Sequence, residues 1–158
     1  MIRSGIGYDC HRFATGRRLV LGGVELESQR GLEGHSDADV LTHAIIDALL
    51  GAAALGDIGQ HFPDTDDRYR DANSIELLRE TVEKLGAGGY TIENVDATVM
   101  LERPSVSRVR EEIRRSLAEA LRLPAGRVSV KATRGEGMGF VGREEGAAAV
   151  AVATVTST

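Results

Sequence analysis

The stretch Ile2-Arg-Ser-Gly-Ile-Gly-Tyr-Asp-Cys-His11 alternates two kinds of residue and predicts a β-strand. Side chains two positions apart on a strand point to the same face, so we expect Asp9 and His11 to point together. Cys10 should point the other way, and we expect it to be a small buried hydrophobic residue. The strand therefore presents a carboxylate and an imidazole side by side.

The segment from Asp37 to about Ala54 predicts a helix. Ser36 is a favourable N-cap, and Asp39, three residues on, resembles the acidic partner in a capping box. His43 lies in line with Asp39 and Asp47, beside an apolar stripe at helical spacing formed by Leu41, Ala44, Ile45, Ala48, Leu49 and Ala52. The two aspartates are either solvated helix charges or residues that orient a metal-bound histidine.

Asp9, His11 and His43 offer one carboxylate and two imidazoles, a donor set that suits catalytic zinc. Catalytic zinc sites have three protein ligands and an open position, whereas structural sites are closed by four. The single cysteine excludes a thiolate-rich structural site. Taken singly, each histidine is more often a packed or surface residue than a metal ligand, so the metal site is a hypothesis that requires the three side chains to converge.

Composition excludes several function classes. The 158 residues predict one domain, 1–158, with an ordinary hydrophobic content of 42%. A net charge of -5 and an aromatic content of 4% argue against a nucleic-acid partner. The single cysteine and the lack of a signal-peptide pattern predict a cytoplasmic protein. No apolar run is long enough to span a membrane, so we expect no membrane association.

The rest of the chain alternates strand and helix patterns. We expect strands at 90–101, 128–132 and 147–156, a strand pair at 19–26, and helices at 75–85 and 106–121. These elements predict an α+β fold, an α/β sandwich in which helices cover one face of a mixed sheet. The small, apolar strand at 147–155 indicates that other subunits cover the second face.

Several loops carry groups that bind phosphates or cations. His35 and Ser36 precede a helix N-terminus, whose free N–H groups attract anions, although Ser36 alone is also explained as a cap. The segment 55–66 is either ordinary turn sequence or a substrate loop. Segment 131–136 ends a strand with a cation, a hydroxyl and a carboxylate, which suits a phosphate with a hard divalent ion.

In this order and spacing, the loops and motifs resemble the 2-C-methyl-D-erythritol 2,4-cyclodiphosphate synthases, zinc enzymes of the non-mevalonate isoprenoid pathway. The resemblance runs from Gly5 to about Val152. The matching stretches are Gly-Tyr-Asp-Cys-His-Arg-Phe (7–13), Leu-Gly-Gly-Val (21–24), Gly-Leu-Glu-Gly-His-Ser-Asp-Ala-Asp-Val (31–40), 43–59, Phe-Pro-Asp-Thr-Asp (62–66), Val-Lys-Ala-Thr (130–133) and Gly-Phe-Val-Gly-Arg-Glu-Glu-Gly (139–146).

The resemblance implies a homotrimer, with the sheets of three subunits facing a central axis and with active sites between neighbouring subunits. It also implies a phosphorus-oxygen lyase. The 2-phosphate of 4-diphosphocytidyl-2-C-methyl-D-erythritol 2-phosphate attacks the β-phosphorus of the same molecule, and CMP leaves. We expect a stand-alone chain without a fused nucleotidyltransferase.

The resemblance further assigns roles to single residues. Asp9, His11 and His43 match the zinc ligands, and Glu136 matches a carboxylate that holds magnesium or manganese. The expected catalytic residues are His35, Ser36, Thr133 and Glu136. The expected substrate contacts also include Asp57, Gly59, Phe62 and Asp64 for the methylerythritol part, and Leu101, Pro104, Ser105, Val106, Ser107, Ala132 and Arg134 for the cytidine part. Phe140, Arg143 and Glu145 match a central cavity that binds an isoprenoid diphosphate in some family members.

Two places depart from the common family pattern. Arg134-Gly135 stands where the family often has Thr-Thr or Thr-Asn, so that Arg134 replaces a small hydroxyl residue near the phosphates. Ser105 stands where many members have lysine. Two alternatives to the synthase are a zinc-dependent phosphohydrolase and a non-catalytic trimer that senses isoprenoid diphosphates through Phe140 and Arg143. Product analysis distinguishes the first from a synthase, and the intact ligand set argues against the second.

Overall fold

A computed structural model of the protein describes residues 1–157 and contains one five-stranded sheet with helices packed against it. The strands are β1 (Ile2–Thr15), β2 (Leu19–Leu21), β3 (Val24–Leu26), β4 (Arg30–Leu32), β5 (Tyr90–Met100), β6 (Val128–Thr133) and β7 (Gly146–Ser157). The helices are α1 (Val40–Ala53), α2 (Ile58–His61), α3 (Ser74–Ala87), α4 (Arg110–Ala120) and α5 (Gly139–Gly142), with 3-10 turns at Asp67–Tyr69 and Ala125–Arg127.

The sheet has the order β4-β1-β7-β5-β6, and β2 and β3 form a separate antiparallel pair. The β5–β6 pair is parallel, while the other neighbours in the five-stranded sheet are antiparallel. Helix α1 packs across β1, β7 and β5, α3 packs on α1, and α4 packs beside β6. The predicted mixed sheet with helices on one face is therefore confirmed. Within residues 1–157, no helix has both the length and the apolar character of a membrane span.

Glycines on β1 allow α1 to lie against the sheet. A Cβ atom at Gly5 would overlap the backbone of Ala48, and one at Gly7 would overlap the carbonyl oxygen of Ala44. Asp9 and His11 continue the same face of β1, as the alternation predicted. The close approach of strand and helix therefore brings the Asp9 and His11 side chains toward α1.

The opposite face of the sheet is open in the single chain and exposes large apolar side chains on β1 and β7. Ile6 is 70% exposed, Tyr8 55% and Val152 44%. Cys10 lies on this face and is also exposed, so the prediction of a small buried hydrophobic residue is wrong for the isolated chain. The error arises because the glycine side of β1, and not the side with the larger apolar residues, packs against the helix.

Helix α1 begins later than the sequence indicated. Its N-cap is Asp39, whose carboxylate accepts a hydrogen bond from Thr42 N–H at 3.0 Å. The predicted cap Ser36 instead accepts from Ala38 N–H at 3.2 Å in a preceding turn. Ala38 has a φ of 55°, which interrupts right-handed helical backbone before Asp39. Because α1 begins after Asp39, Ser36 lies in a loop beside His43 and contacts the imidazole.

Candidate metal centre and substrate cavities

The side chains of Asp9, His11 and His43 converge between β1 and α1, as the metal hypothesis requires. Asp9 Oδ2 lies 2.9 Å from His11 Nε2 and 3.0 Å from His43 Nδ1. The two imidazole nitrogens lie 3.2 Å apart. A tetrahedral zinc site with bonds of ~2.0–2.1 Å separates neighbouring donors by roughly 3.3 Å. The spacing and chemistry of the three donors therefore fit a zinc ion with three protein ligands.

Hydrogen bonds on the far side of each imidazole select the nitrogen that faces the cluster. His11 Nδ1 lies 2.8 Å from the carbonyl oxygen of Glu33, to which it donates. Its Nε2 lone pair is then directed at the cluster. His43 uses the other nitrogen, because its Nε2 lies 2.8 Å from Ser74 Oγ and 3.2 Å from Ser36 Oγ. Such partners fix the tautomer and the orientation of metal-binding histidines.

The cluster keeps its carboxylate ionised. Burial raises the pKa of the Asp9 carboxyl, but in the metal-free cluster hydrogen bonds from protonated His11 and His43, together with their charges, outweigh it and lower this pKa to about 2. Burial lowers the pKa of the His11 imidazole, yet the hydrogen bond and charge of Asp9 leave it above its ordinary value. The Asp9 carboxylate is therefore ionised near neutral pH and available as a metal ligand.

The cluster forms one end of a cavity of about 420 Å³. Predicted substrate residues line the same cavity, namely His35, Ser36, Gly59, Phe62 and Asp64. Asp47 also lines the cavity, together with three residues that the sequence did not single out, Ile58, Tyr69 and Leu77. The rings of Phe62 and Tyr69 pack edge to face with centroids 5.4 Å apart and form an apolar wall. The cavity combines a cation site with an apolar wall and suits a small anionic substrate that has a hydrocarbon part.

Asp57 does not line this cavity. Its carboxylate caps α2 and accepts hydrogen bonds from Gln60, at 3.0 Å from the backbone N–H and 3.1 Å from the side-chain amide. Contact between Asp57 and a substrate stays a prediction.

The loop that carries His35 and Ser36 is held by a residue that the sequence did not single out. The Arg17 guanidinium donates to the carbonyl oxygens of Gly34 at 3.2 Å and Ser36 at 2.7 Å. On the other side, the backbone N–H of Asp71 donates to the carbonyl of His35 at 2.8 Å. An arginine that donates to distant backbone carbonyls leaves no periodic pattern in the sequence. The role of Arg17 in holding this loop could therefore not be predicted.

A second cavity, of about 340 Å³, lies at the ends of β5 and β6. It is lined by the predicted residues Leu101, Ser105, Val106, Ser107, Ala132, Thr133 and Arg134, with Glu102, Arg103 and Arg110 in addition. Pro104 lines an adjoining cavity. Among the residues that the structure describes, none lines both this cavity and the one that contains the metal cluster.

The remaining predicted residues line neither of these two cavities in the described part of the chain. Glu136 is exposed in the loop after β6, with its carboxylate 3.4 Å from the Arg134 guanidinium. Phe140 lies on α5, and Arg143 next to α5 donates to Glu145 at 2.8 Å. Their roles in metal, substrate or isoprenoid binding stay predictions.

The aspartates next to His43 in sequence do not orient it. The Asp39 carboxylate is fully buried and accepts from Gly22 N–H and Gly23 N–H at 2.9 and 2.8 Å, so it is neither a solvated charge nor a partner of the His43 imidazole. Asp47 accepts from Ile58 N–H at 2.7 Å. The side chain closest to His43 Nε2 is Ser74, at the start of α3, where a serine is ordinarily explained as a helix cap and gives no distinct signal.

Comparison with known proteins agrees with this geometry. The model of the YgbB family matches residues 2–156. The 2-C-methyl-D-erythritol 2,4-cyclodiphosphate synthase of Salinibacter ruber is 59% identical over 156 residues, which are 99% of each chain. Among solved structures, the bifunctional IspDF of Campylobacter jejuni matches with a TM-score of 0.96 at 40% identity, over 100% of this chain and 43% of that one.

A third match is the CDP complex of IspF from Plasmodium falciparum, with a TM-score of 0.87 at 31% identity over 99% and 97% of the two chains. These similarities extend over nearly all of the sequence and include both cavities. With its donor cluster, its mixed sheet and an almost end-to-end match to the family model, the chain belongs to the YgbB family.

Proposed function

We propose that this protein is a 2-C-methyl-D-erythritol 2,4-cyclodiphosphate synthase. It would convert 4-diphosphocytidyl-2-C-methyl-D-erythritol 2-phosphate to the cyclic diphosphate and CMP. The observation that carries the proposal is the convergence of Asp9, His11 and His43 at one end of a cavity. The similarity to a named synthase over 99% of the chain supports it.

The proposed reaction is an intramolecular phosphoryl transfer. An oxygen of the substrate's 2-phosphate forms a bond to the β-phosphorus of its diphosphate. The bond between that phosphorus and the oxygen bridging to the α-phosphorus breaks, and CMP leaves with the bridging oxygen and the electron pair. Because the substrate contains its own nucleophile, the protein has to position phosphates and neutralise charge. The activity would be that of a phosphorus-oxygen lyase.

The residues of the first cavity would bind zinc, the phosphates and the carbon chain of the substrate. Asp9, His11 and His43 would hold zinc, which when bound supplies a Lewis acid for the β-phosphate. His35 and Ser36 lie in the same cavity, where an imidazole and a hydroxyl can donate to phosphate oxygens. The apolar wall formed by Phe62 and Tyr69 would contact the carbon chain.

The second cavity is the proposed cytidine pocket, and the CDP complex of the Plasmodium falciparum relative supports a cytidine nucleotide as its occupant. Thr133 would contact the substrate diphosphate there. Glu136 would hold magnesium or manganese, which when bound would neutralise phosphate charge. Arg134, where the family commonly has a small hydroxyl residue, adds a positive charge to the lining.

A homotrimer with active sites between subunits would bring the two cavities together. Two observations support this assembly. The two cavities share no described lining residue, and the open face of the sheet exposes the apolar side chains of Ile6 and Tyr8. We further propose one domain over 1–158 and an isoprenoid diphosphate as an occupant of the central cavity near Phe140 and Arg143. The cytoplasmic location stays a prediction from the sequence.

The proposal is tested by measuring CMP release from the diphosphocytidyl substrate and identifying the second product by ³¹P NMR. The reaction should give the cyclic diphosphate in the presence of zinc and magnesium, and should stop after chelation. CMP together with a linear phosphate product would establish the phosphohydrolase instead. Absence of turnover at full zinc occupancy would favour the non-catalytic sensor. Similarity to named synthases over nearly the whole chain favours neither alternative.

A further inference from the structure

His43 is held from behind by two residues outside the donor cluster. Its Nε2 atom lies 2.8 Å from Ser74 Oγ. The Ser74 hydroxyl in turn donates to Asp37 Oδ1, and Asp37 Oδ2 accepts the Ser74 backbone N–H at 3.0 Å. Ser74 is fully buried, so water does not compete for its hydroxyl. The three residues form a continuous chain of hydrogen bonds that ends at the imidazole.

The direction of each hydrogen bond in this chain follows from the acceptor at its end. An ionised Asp37 carboxylate only accepts hydrogen bonds, so the single Ser74 hydroxyl proton is committed to it. Toward His43, Ser74 Oγ can then act only as an acceptor. This places the imidazole proton on Nε2 and leaves the lone pair on Nδ1, the atom that lies 3.0 Å from Asp9 Oδ2 and 3.2 Å from His11 Nε2.

Ser36 is a weaker second partner of His43. Its Oγ atom lies 3.2 Å from His43 Nε2 and already accepts the backbone N–H of Ala38 at 3.2 Å. Both contacts are longer than the one to Ser74, and Ser36 has no carboxylate that fixes the direction of its hydroxyl proton. Ser74 and Asp37 are therefore the pair that determines the state of the His43 ring.

We propose that Ser74 and Asp37 are positioning residues that hold His43 in the tautomer and orientation needed for metal binding. Ser74 is the first residue of α3, and Asp37 lies in the loop before α1. The packing of α3 on α1 thus fixes the orientation of a ring on α1. The inference rests on the proposed function in one respect: His43 Nδ1 has to be a zinc ligand.

The test measures the dissociation constant of Zn²⁺ by competition with a chromogenic chelator, using the full chain. Removal of a partner behind a metal-binding histidine typically weakens metal binding ~10- to 100-fold, so Ser74→Ala should do the same. Ser74→Thr keeps a hydroxyl and should return the constant to near the wild-type value. Thr81→Val is the matched control, because Thr81 is a buried hydroxyl on the same helix that donates to Leu77 O at 2.8 Å and does not touch His43.

The visible spectrum of the Co²⁺-substituted protein gives a second readout, since it reports the ligand geometry independently of stability. Ser74→Ala should change this spectrum, whereas Thr81→Val should not. If Ser74→Ala does not fold, Asp37→Asn replaces it. The asparagine NH₂ group would face either the Ser74 hydroxyl or the Ser74 backbone N–H, and it cannot accept a hydrogen bond from either. This change should weaken Zn²⁺ binding several-fold.

Wild-type Zn²⁺ affinity and an unchanged Co²⁺ spectrum in Ser74→Ala, or in Asp37→Asn where that variant is used, would overturn the positioning role alone. A wild-type protein that binds no Zn²⁺ would overturn the zinc assignment under the proposed function and the positioning role with it. The two failures are therefore distinguishable in the same titration.

Discussion

His11 Nε2 and His43 Nδ1 lie 3.2 Å apart, although one imidazole is carried by β1 and the other by α1. The two rings meet nearly edge to face, with centroids 5.4 Å apart and an interplanar angle of 65°. Each ring directs a different nitrogen at Asp9, because Glu33 O accepts from His11 and Ser74 Oγ accepts from His43. The donor cluster therefore depends on the close packing of β1 against α1.

Gly7→Ala tests this dependence on close packing. The added Cβ would overlap Ala44 O, so β1 and α1 must move apart, and overpacking of this kind costs about 1–3 kcal/mol. We expect a lower free energy of unfolding in urea and weaker Zn²⁺ binding. Gly86→Ala is the control, because Gly86 lies in α3 with open space around its Cβ position and should gain about 0.5–1 kcal/mol. Equal Zn²⁺ affinity in both variants would contradict the packing argument.

Arg17→Met tests whether the loop with His35 needs the guanidinium. Hydrogen bonds to a charged group contribute about 1.5–3 kcal/mol, so we expect kcat/KM to fall about tenfold or more with zinc content unchanged. Arg18→Met is the matched control, because Arg18 is exposed. Its guanidinium lies 3.4 Å from the Glu25 carboxylate and does not hold the loop. The positioning of the loop by Arg17 would be refuted if the two variants showed the same steady-state kinetics.

The lowered pKa of Asp9 predicts how the stability of the chelated, zinc-free protein depends on pH. The folded pKa of about 2 lies below the ~3.9 of an unfolded aspartate. Such a group stabilises the folded state above the unfolded pKa, and this contribution is lost as the pH falls toward the folded pKa. The contribution is about 2 kcal/mol and should decline between about pH 5 and pH 2.

Asp9→Asn lacks this titration and provides the comparison. The difference in unfolding free energy between wild type and Asp9→Asn, measured in urea from pH 6 to pH 3, should shrink as the pH falls. A difference that stays constant over this range would show that the Asp9 carboxyl has an ordinary pKa in the folded state.

The sequence predicted part of the fold and of the metal centre, and what it missed depends on contacts that local patterns do not show. Alternation along β1 correctly placed Asp9 and His11 on one face, and helical spacing correctly placed His43 on a helix, because both rules depend only on local geometry. Ser36 was wrongly predicted as the N-cap because the sequence does not show the positive φ of Ala38. Local rules therefore located the donors but not the start of the helix that carries one of them.

The contacts that orient the site could not be predicted locally. Ser74 is 31 residues from His43, and its bond to Asp37 spans 37 residues. The exposure of Cys10 depends on which face of β1 meets α1, and that choice is made by close approach at glycines. Glu136 was linked to a phosphate and a divalent ion by the residue types in 131–136 and by family resemblance, and a single chain does not bring it to the metal cluster.

The proposed assembly predicts complementation between two inactive variants. His43→Ala damages the metal cavity and Glu136→Ala damages the loop next to the proposed nucleotide cavity, so each trimer alone should be inactive. In a trimer that contains both variants, one of the three active sites combines an intact metal cavity from one subunit with an intact nucleotide cavity from its neighbour. Random mixing should therefore restore about a quarter of wild-type activity. The lack of any recovery in mixed trimers, verified by native mass spectrometry, would contradict active sites shared between subunits.

The most direct test of the metal centre is the zinc content of wild type and His43→Ala, measured by elemental mass spectrometry after identical purification. We expect about one zinc per chain in the wild type, since three protein ligands complete one catalytic site. The His43→Ala protein should contain almost none, because a carboxylate and one imidazole remain. Equal zinc content in the two proteins would show that the Asp9, His11 and His43 cluster is not the metal centre.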